Sequence, residues 1–143
     1  MCISRVGSGQ DQKLARAYSS DGGQSWSELD RLEAFSVAPQ ILRLQNGVLV
    51  ISTGRPGVFL WFSTDARGEE WQSFDVMEFH NSVHEERFQF NAKQTTAYTA
   101  MIEAESNRIF LVYDRTPLSW QPVPPDSDEV NGIYLLEVSV ERG

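Results

Sequence analysis

Four charged side chains and one phenol stand where apolar segments of this chain end or begin. The phenol belongs to Tyr98, and the charged residues are Arg5, Arg55, Asp114 and Arg115. A guanidinium presents a planar fork of donors, which can meet a carboxylate through two parallel hydrogen bonds. If the fold brings these segments together, the arginines could therefore bind a ligand that carries a carboxylate.

The apolar segments have the length and alternation of β-strands. Turn dipeptides such as Asn46-Gly47 separate them, and no segment keeps a sustained helical period. Residues 78–95 are predicted to form a long polar connection. The sequence therefore predicts an all-β protein. Its predicted strands cover residues 1–6, 13–20, 26–32, 39–45, 48–53, 58–63, 71–77, 96–104, 108–114 and 133–140.

A short polar motif occurs twice, at an offset of 44 residues. In each copy an aspartate can accept N–H groups of its own turn and a glycine allows a positive φ. A tryptophan can then bury its ring against the neighbouring sheet. Repetition at this period is typical of a β-propeller. The residues are Ser19, Asp21, Gly23 and Trp26 in the first copy, and Ser63, Asp65, Gly68 and Trp71 in the second.

The first copy reads Ser-x-Asp-x-Gly-x-Ser-Trp and resembles the Asp box of the sialidase (neuraminidase) superfamily, also called the BNR-repeat proteins. This resemblance implies a sialidase-type β-propeller, six-bladed when complete, of which 143 residues supply about three blades. We expect an incomplete blade with the first box over residues 1–38 and a complete blade with the second box over 39–79. A last blade lacking one strand would cover 80–143. The chain would then be the C-terminal portion, which missing N-terminal blades or another chain must close.

Antiparallel strand order places the two boxes at one end of the predicted blades and the charged residues at the other. The strands of a blade are counted outward from the propeller axis, and the incomplete first blade lacks its first strand. Each box follows the third strand of its blade, whereas Arg5, Arg55 and Asp114 close second strands. Tyr98 enters a first strand from the same end as those residues. The predicted site is therefore remote from both boxes.

The resemblance to sialidases also assigns roles to these residues. In that family three arginines bind the carboxylate of sialic acid, a tyrosine attacks the anomeric carbon with help from a glutamate, and an aspartate is the acid/base. The match implies that Tyr98 is the catalytic nucleophile and that Arg5 and Arg55 bind substrate. Asp114 would correspond to the acid that holds the first arginine, and Arg115 is a further substrate-binding candidate. The first arginine, the aspartate and the glutamate would lie upstream.

Two positions depart from the family pattern, because Thr99 replaces a serine and Asp114 replaces a glutamate.

The chemistry of the implied reaction suits the residue types. Sialic acid carries an anion beside its reacting carbon, so a neutral phenol activated by a base avoids the repulsion that a carboxylate nucleophile would meet.

The function implied by the resemblance is that of an exo-acting, retaining glycoside hydrolase. It would cleave terminal sialic acid or a related acidic sugar from glycoconjugates, and it would need no cofactor or metal. The isolated chain would be inactive, because it carries half of the site. Two alternatives remain open: a non-catalytic Asp-box propeller that binds carbohydrate or another partner, and a hydrolase or lyase acting on another glycan.

Several of these residues also have a plainer interpretation. Tyr98 could be an amphipathic core residue, and Arg55 could be a solvated loop cation. Lys13 and Arg16 are alternatives to the arginine of the first blade, and Arg115 could be a surface or a salt-bridge residue. Among the aromatic residues, Trp61 is predicted to pack between blades and Trp120 to contact the aglycone.

Charge and composition exclude other classes of function. The chain has 12 Lys and Arg against 20 Asp and Glu, a net charge of −8, and no basic run, so nucleic acid is not an expected partner. The single Cys2 cannot form an internal disulfide. The apolar runs are too short to span a bilayer.

Two further expectations concern metal binding and localisation. His80 and His84, with the acidic residues that follow, fit no metal-ligand spacing and are predicted to lie in a solvated loop. No leader is visible, although full-length members of the resembled family are often secreted or periplasmic, so localisation stays open.

Overall fold

The structure is a computed structural model that describes residues 1–7, 13–32, 37–118, 121–122 and 124–142. Ten strands dominate this part of the chain, so the all-β prediction is confirmed. They are β1 Cys2–Val6, β2 Lys13–Ala17, β3 Asp30–Leu32, β4 Val37–Arg43, β5 Leu49–Gly54, β6 Val58–Ser63, β7 Gln72–Asp75, β8 Ala100–Glu105, β9 Arg108–Arg115 and β10 Gly132–Ser139. The helix α1 covers Val76–Val83, and a 3₁₀ turn covers Glu86–Phe88.

The strands form three antiparallel sheets, none of which closes on itself in the described residues. Sheet 1 has the order β1-β2-β3, sheet 2 the order β4-β5-β6-β7, and sheet 3 the order β8-β9-β10. Each strand pairs with its neighbours in sequence, as expected for short turns between antiparallel strands. Contacts of β1 with β4 and of β4 with β8 bring the first strands of the three sheets together.

The main core lies between sheets 2 and 3. Every residue of β5 is buried, and Val50 packs there with Leu60 of β6. In β9 the buried residues Ile109 and Leu111 alternate with the exposed Val112, so one face of sheet 3 points into this core. Burial of each such aliphatic side chain contributes about 1.5–3 kcal/mol, so this face fixes the packing of sheet 3 on sheet 2.

The segment after β7 is helical, which corrects the prediction of a strand to residue 77 followed by a polar connection. The carboxylate of Asp75 caps α1 by accepting the N–H of Glu78 at 2.9 Å. Val76 and His80, four residues apart, are both buried on one face of the helix. A connection that seemed only polar therefore contributes a packed helix to the core. No helix in the described ranges is long and apolar enough to cross a membrane.

Five strands, β1, β2, β3, β7 and β8, are shorter than predicted. The third strand of sheet 1 contains only Asp30–Leu32, because the residues before it belong to a polar turn. The first strand of sheet 3 begins at Ala100 rather than at residue 96. Ala97 has a φ of 61°, in the left-handed region, and an extended strand cannot pass through that conformation. Tyr98 therefore lies on an irregular segment in front of β8.

Candidate functional site

Arg55 and Tyr98 lie on two segments that touch at one end of sheets 2 and 3. Arg55 is exposed in the β5–β6 turn, where its Nη2 lies 3.5 Å from the carbonyl oxygen of Thr96. Tyr98 is 51% exposed. A Cβ atom at Gly54 would lie 2.4 Å from the Cβ of Ala97, so only glycine permits this close approach. The two segments together form the candidate site.

Asp114, at the end of β9, holds the segment that carries Tyr98. One carboxylate oxygen accepts the hydroxyl of Thr95 at 2.7 Å and the N–H of Thr96 at 3.0 Å. The resemblance to sialidases implies that this carboxylate holds an arginine. In this structure its described partners are the two threonines, so Asp114 positions the Tyr98 segment.

Thr99 fixes the other side of Tyr98. Its hydroxyl donates to the hydroxyl of Ser52 on β5 at 2.8 Å, and both residues are buried. The hydroxyl that Thr99 shares with the serine of the family pattern therefore ties the start of β8 to sheet 2. The flanking residues are fixed while the phenol of Tyr98 remains accessible.

Arg115 is a buried anchor, so the interpretation as a salt-bridge residue is confirmed and the interpretation as a surface residue is wrong. Its side chain is only 2% exposed, and its Nη2 pairs with Glu129 at 2.8 Å. The same guanidinium donates to the carbonyl groups of Arg87, Gln89 and Val130 at 2.8–3.0 Å. These contacts engage all three nitrogen atoms of the guanidinium. Arg115 thus fastens two loops and is not placed to bind a substrate.

The arginines of sheet 1 have different surroundings. Arg5 is exposed at the end of β1, and no hydrogen bond or ion pair among the described residues joins it to Arg55 or Tyr98. Arg16 pairs with Asp30 at 2.6 Å, so it belongs to the packing of the sheets. Of the three predicted substrate-binding arginines, Arg5, Arg55 and Arg115, the structure places Arg55 against the segment that carries Tyr98.

The first copy of the repeated motif, hereafter the first repeat turn, is organised around Asp21. Its carboxylate accepts the N–H groups of Gln24 and Ser25 at 3.0 and 2.9 Å, and the hydroxyls of Ser25 and Ser19 at 2.6 and 2.8 Å. These bonds, those from Ser25 first, hold the pKa of Asp21 well below its usual range. Trp26 closes the turn by donating its indole N–H to the carbonyl of Gly23 at 3.0 Å.

The second repeat turn, residues 63–71, has the same design. Asp65 accepts the hydroxyl of Ser63 at 2.7 Å and three backbone N–H groups, and these bonds also hold its pKa well below the usual range. Trp71 donates its indole N–H to the carbonyl of Gly68 at 2.7 Å. Gly68 has a φ of 64°, and a Cβ there would lie 2.6 Å from the Trp71 ring. Both aspartates are therefore structural.

The two tryptophans differ in burial. Trp71 is half-buried, whereas Trp26 is 49% exposed, so its predicted burial against a neighbouring sheet is wrong. The ring of Trp26 folds back on its own turn through the bond from its N–H to the carbonyl of Gly23, as the ring of Trp71 does at Gly68. Trp120, predicted to contact an aglycone, lies outside the described residues.

Sheet 1 holds the second repeat turn through Arg16 of β2 and Tyr18, the residue that follows β2. Arg16 donates to the carbonyl of Gly68, and the hydroxyl of Tyr18 donates to the carbonyl of Arg67. The Arg67 guanidinium lies 5.4 Å from the centre of the Tyr18 ring. Because β6 runs from the Arg55 turn to this repeat turn, the candidate site and the repeat turn lie at opposite ends of that strand.

His80 is completely buried, so its prediction as part of a solvated loop is wrong. Its Nδ1 lies 2.8 Å from the hydroxyl of Tyr113, and its Nε2 lies 3.0 Å from the carbonyl oxygen of Phe88. Burial lowers the pKa of His80. Its spacing of four residues from Val76 was the sequence signal for a helix face. Within the described part of the chain, no group of three or more His, Cys, Asp or Glu side chains could hold a metal.

A separate groove of about 400 Å³ opens beside the second repeat turn, between Trp71 and the chain after β10. Phe62 and Phe74 line it with Glu70 and Glu141, and none of its lining residues belongs to the candidate site. The candidate site is an exposed surface at the other end of the sheets.

The arrangement of Arg55 and Tyr98 can bind an anion beside an accessible phenol. A guanidinium and a hydroxyl suit a ligand with a carboxylate next to polar oxygen atoms. Comparison of the chain with protein-family models, curated proteins and solved structures gave no match. The assignment of a function therefore rests on the sequence motifs and on this geometry.

Proposed function

We propose that this chain belongs to a sialidase-type β-propeller that removes terminal sialic acid, or a related acidic sugar, with retention of configuration. The observation that carries the proposal is the contact between two segments from different sheets. One presents Arg55 and the other presents Tyr98, both exposed. Asp114 and Thr99 hold the Tyr98 segment in place. The repeated turns supply the resemblance to the family.

In the proposed reaction the carboxylate of the sugar pairs with Arg55, with Arg5 as a second cation. The oxygen of Tyr98 forms a bond to the anomeric carbon while the glycosidic bond breaks. A base takes the phenolic proton, and an acid protonates the leaving oxygen. Water then cleaves the tyrosyl intermediate and restores the phenol. Asp114 is engaged with the two threonines, so the base and the acid are expected from a part of the protein beyond this chain.

The partner that completes the site is proposed to be further sheets of the same kind. The face of sheet 3 that points away from sheet 2 is apolar and exposed, with Ile133 at 81% exposure beside Leu135, Val112 and Ile102. Such a contiguous apolar face favours association. Covering one of these side chains contributes about 1.5–3 kcal/mol, so another sheet packed here would be strongly held.

A second candidate function is binding of an acidic glycan without turnover. The occupied carboxylate of Asp114 favours it, because no described hydrogen bond links a carboxylate to the Tyr98 phenol. A binding module would need Arg55 and an open surface but no base. The two functions share the ligand and differ in the chemistry at Tyr98.

The shared ligand can be tested on this chain by NMR, with a methyl sialoside as the probe. We expect the Nε–H signal of Arg55 to shift during the titration, while that of Arg43 does not. Arg43 is a matched control, because it is exposed and its Nη2 also donates to a backbone carbonyl, that of Ala66 in the second repeat turn at the other end of β6. The methyl ester of the same sugar should shift neither signal, since it lacks the charge. Equal shifts at both arginines, or a full response to the ester, would refute the carboxylate site.

Turnover is tested separately in the protein with its closing sheets. Release of a fluorophore from a sialoside should fall by at least about 100-fold in Tyr98→Phe, because the variant lacks the nucleophilic oxygen. Glycan binding with no turnover in the unmodified protein would support the binding module. A Tyr98→Phe rate within a few-fold of the unmodified protein would exclude Tyr98 as nucleophile.

A further inference from the structure

A buried cluster of rings joins α1 to sheet 3. His80 of α1 stacks on His84 with 4.0 Å between ring centres. The edge of the same imidazole faces Tyr134 of β10 at 4.5 Å and Phe90 at 4.9 Å. Tyr113 of β9 completes the cluster through its hydrogen bond to His80. The helix is therefore attached to sheet 3 by one imidazole that has no access to water.

The hydrogen bonds define the neutral tautomer of His80. The carbonyl of Phe88 can only accept, so Nε2 carries the proton and donates to it. Nδ1 is then an acceptor, and the hydroxyl of Tyr113 donates to it. A second proton on Nδ1 would face a hydroxyl hydrogen and abolish this bond in its present geometry.

The groups around His80 do not compensate a positive charge. His84, the C-cap of α1, and Arg115 on β9 act on it as cations, and the groups that face it from the adjacent strands are the rings of Tyr113 and Tyr134 rather than carboxylates. The pKa of Tyr113 is raised to about 12 by burial, so this phenol does not supply an anion. Charging the imidazole would therefore bury an uncompensated cation.

We propose that His80 is an acid-sensitive latch, in which proton uptake at Nδ1 breaks the Tyr113 hydrogen bond and releases α1 and the turn through Phe90 from sheet 3. The latch acts on the connection between sheets 2 and 3. Asp114 and Arg115 hold later parts of that connection through hydrogen bonds that do not involve His80. The release is thus expected to be local, and it does not depend on the proposed glycosidase activity.

The sign and size of the effect follow from linkage. The pKa of His80 is lowered in the folded protein, so the open form takes up a proton more readily than the closed form. The stabilising effect is complete above pH 6.5, the ordinary value, and is lost as the pH falls from there towards the folded value. For an open form with the ordinary value, the opening equilibrium can rise by up to roughly 25-fold between pH 7 and pH 5.

Hydrogen exchange measured at several pH values tests the latch in this chain. After correction for intrinsic exchange rates, we expect peptides within residues 76–90 to lose protection as the pH falls from 7 to 5. Peptides within residues 13–32, in sheet 1, serve as the internal reference. His80→Gln keeps a donor for the Phe88 carbonyl but takes up no proton, so its protection should not respond to pH. His84→Gln is the matched control and should keep the response.

An NMR titration of the two histidines, the only ones in the chain, gives a test that needs no folded His80 variant. We expect His80 to titrate below 6.5, with the signals assigned through His84→Gln. A His80 that titrates at or above 6.5 would overturn the proposal. So would constant protection of residues 76–90 in the unmodified chain, or a pH response that disappears with His84 rather than with His80.

Discussion

Replacing Gly54 by alanine is expected to separate the two segments of the candidate site. The added Cβ would lie 2.4 Å from the Cβ of Ala97 and 2.6 Å from its carbonyl oxygen. It would also lie 2.8 Å from the carbonyl oxygen of Gly57. None of these atoms is the end of a flexible side chain, so the backbone must shift. We expect a loss of about 2–3 kcal/mol in the free energy of unfolding, or roughly 5–10 °C in Tm.

A double-mutant cycle separates this clash from a general effect of alanine. Ala97→Gly alone should be neutral or slightly stabilising, because φ is 61° at this position. Combined with Gly54→Ala, it should recover part of the loss, since one of the three close contacts disappears. Gly22→Ala is the matched control. A Cβ there meets no atom within 4 Å, so only its φ of 73° costs about 1 kcal/mol.

The assay is denaturant unfolding followed by tryptophan fluorescence, with the unmodified chain and all four variants at the same pH and temperature. A Gly54→Ala variant as stable as the unmodified chain would refute the close approach of residues 54 and 97. Strictly additive effects of Gly54→Ala and Ala97→Gly would refute the contact between these two residues even if each variant is destabilised.

Three further predictions concern stability and titration. Asp65→Asn should make the free energy of unfolding less dependent on pH in the acid range. The lowered pKa of Asp65 means that its carboxylate stabilises the fold fully above pH 3.8, the ordinary value, and less as the pH falls below it. Denaturant unfolding between pH 5 and pH 2 checks this, and an unchanged pH profile would contradict it. Arg115→Lys should cost about 2–4 kcal/mol in unfolding free energy, since lysine cannot serve four acceptors, and stability equal to that of the unmodified chain would argue against the anchor. In an ultraviolet titration, one tyrosine should ionise at about 12 and be missing in Tyr113→Phe; the same curve in both proteins would contradict this assignment.

The strands of sheets 2 and 3 follow directly from the alternation in the sequence. Val58–Ser63 forms a strand with the predicted bounds, and β9 differs from its prediction by one residue. The same alternation, continued by one residue beyond the predicted strand, places Arg115 on the buried face. Ile109, Leu111, Tyr113 and Arg115 occupy every second position of β9, so they share one face. Charge alone had favoured a surface position, although strand period places the residue in the interior.

The helix and the irregular segment show where local patterns were insufficient. α1 has eight residues, so its helical period is brief, and the useful signal was Asp75 followed three residues later by Glu78. The segment around Tyr98 has the composition of a strand. Its conformation is set by contacts with Gly54 and Asp114, which lie far away in sequence. Strand order alone placed Arg55 and Tyr98 at one end, and only the tertiary structure brings their segments into contact.

Equivalent positions in sheets 1 and 2 carry different side chains, according to what the next sheet packs against them. Arg16 of β2 and Tyr18, the residue after β2, bond to carbonyl groups of the second repeat turn. The positions 44 residues later are Leu60 and Phe62, which belong to the apolar core facing sheet 3. Sheet 3 presents apolar side chains such as Val138 to this core instead of the carbonyl groups of a repeat turn. At these two positions, a sheet therefore carries hydrogen-bond donors when the next sheet packs a repeat turn against it, and apolar side chains when the next sheet does not. By this rule, a sheet packed against the first repeat turn would present Arg or Tyr at these positions.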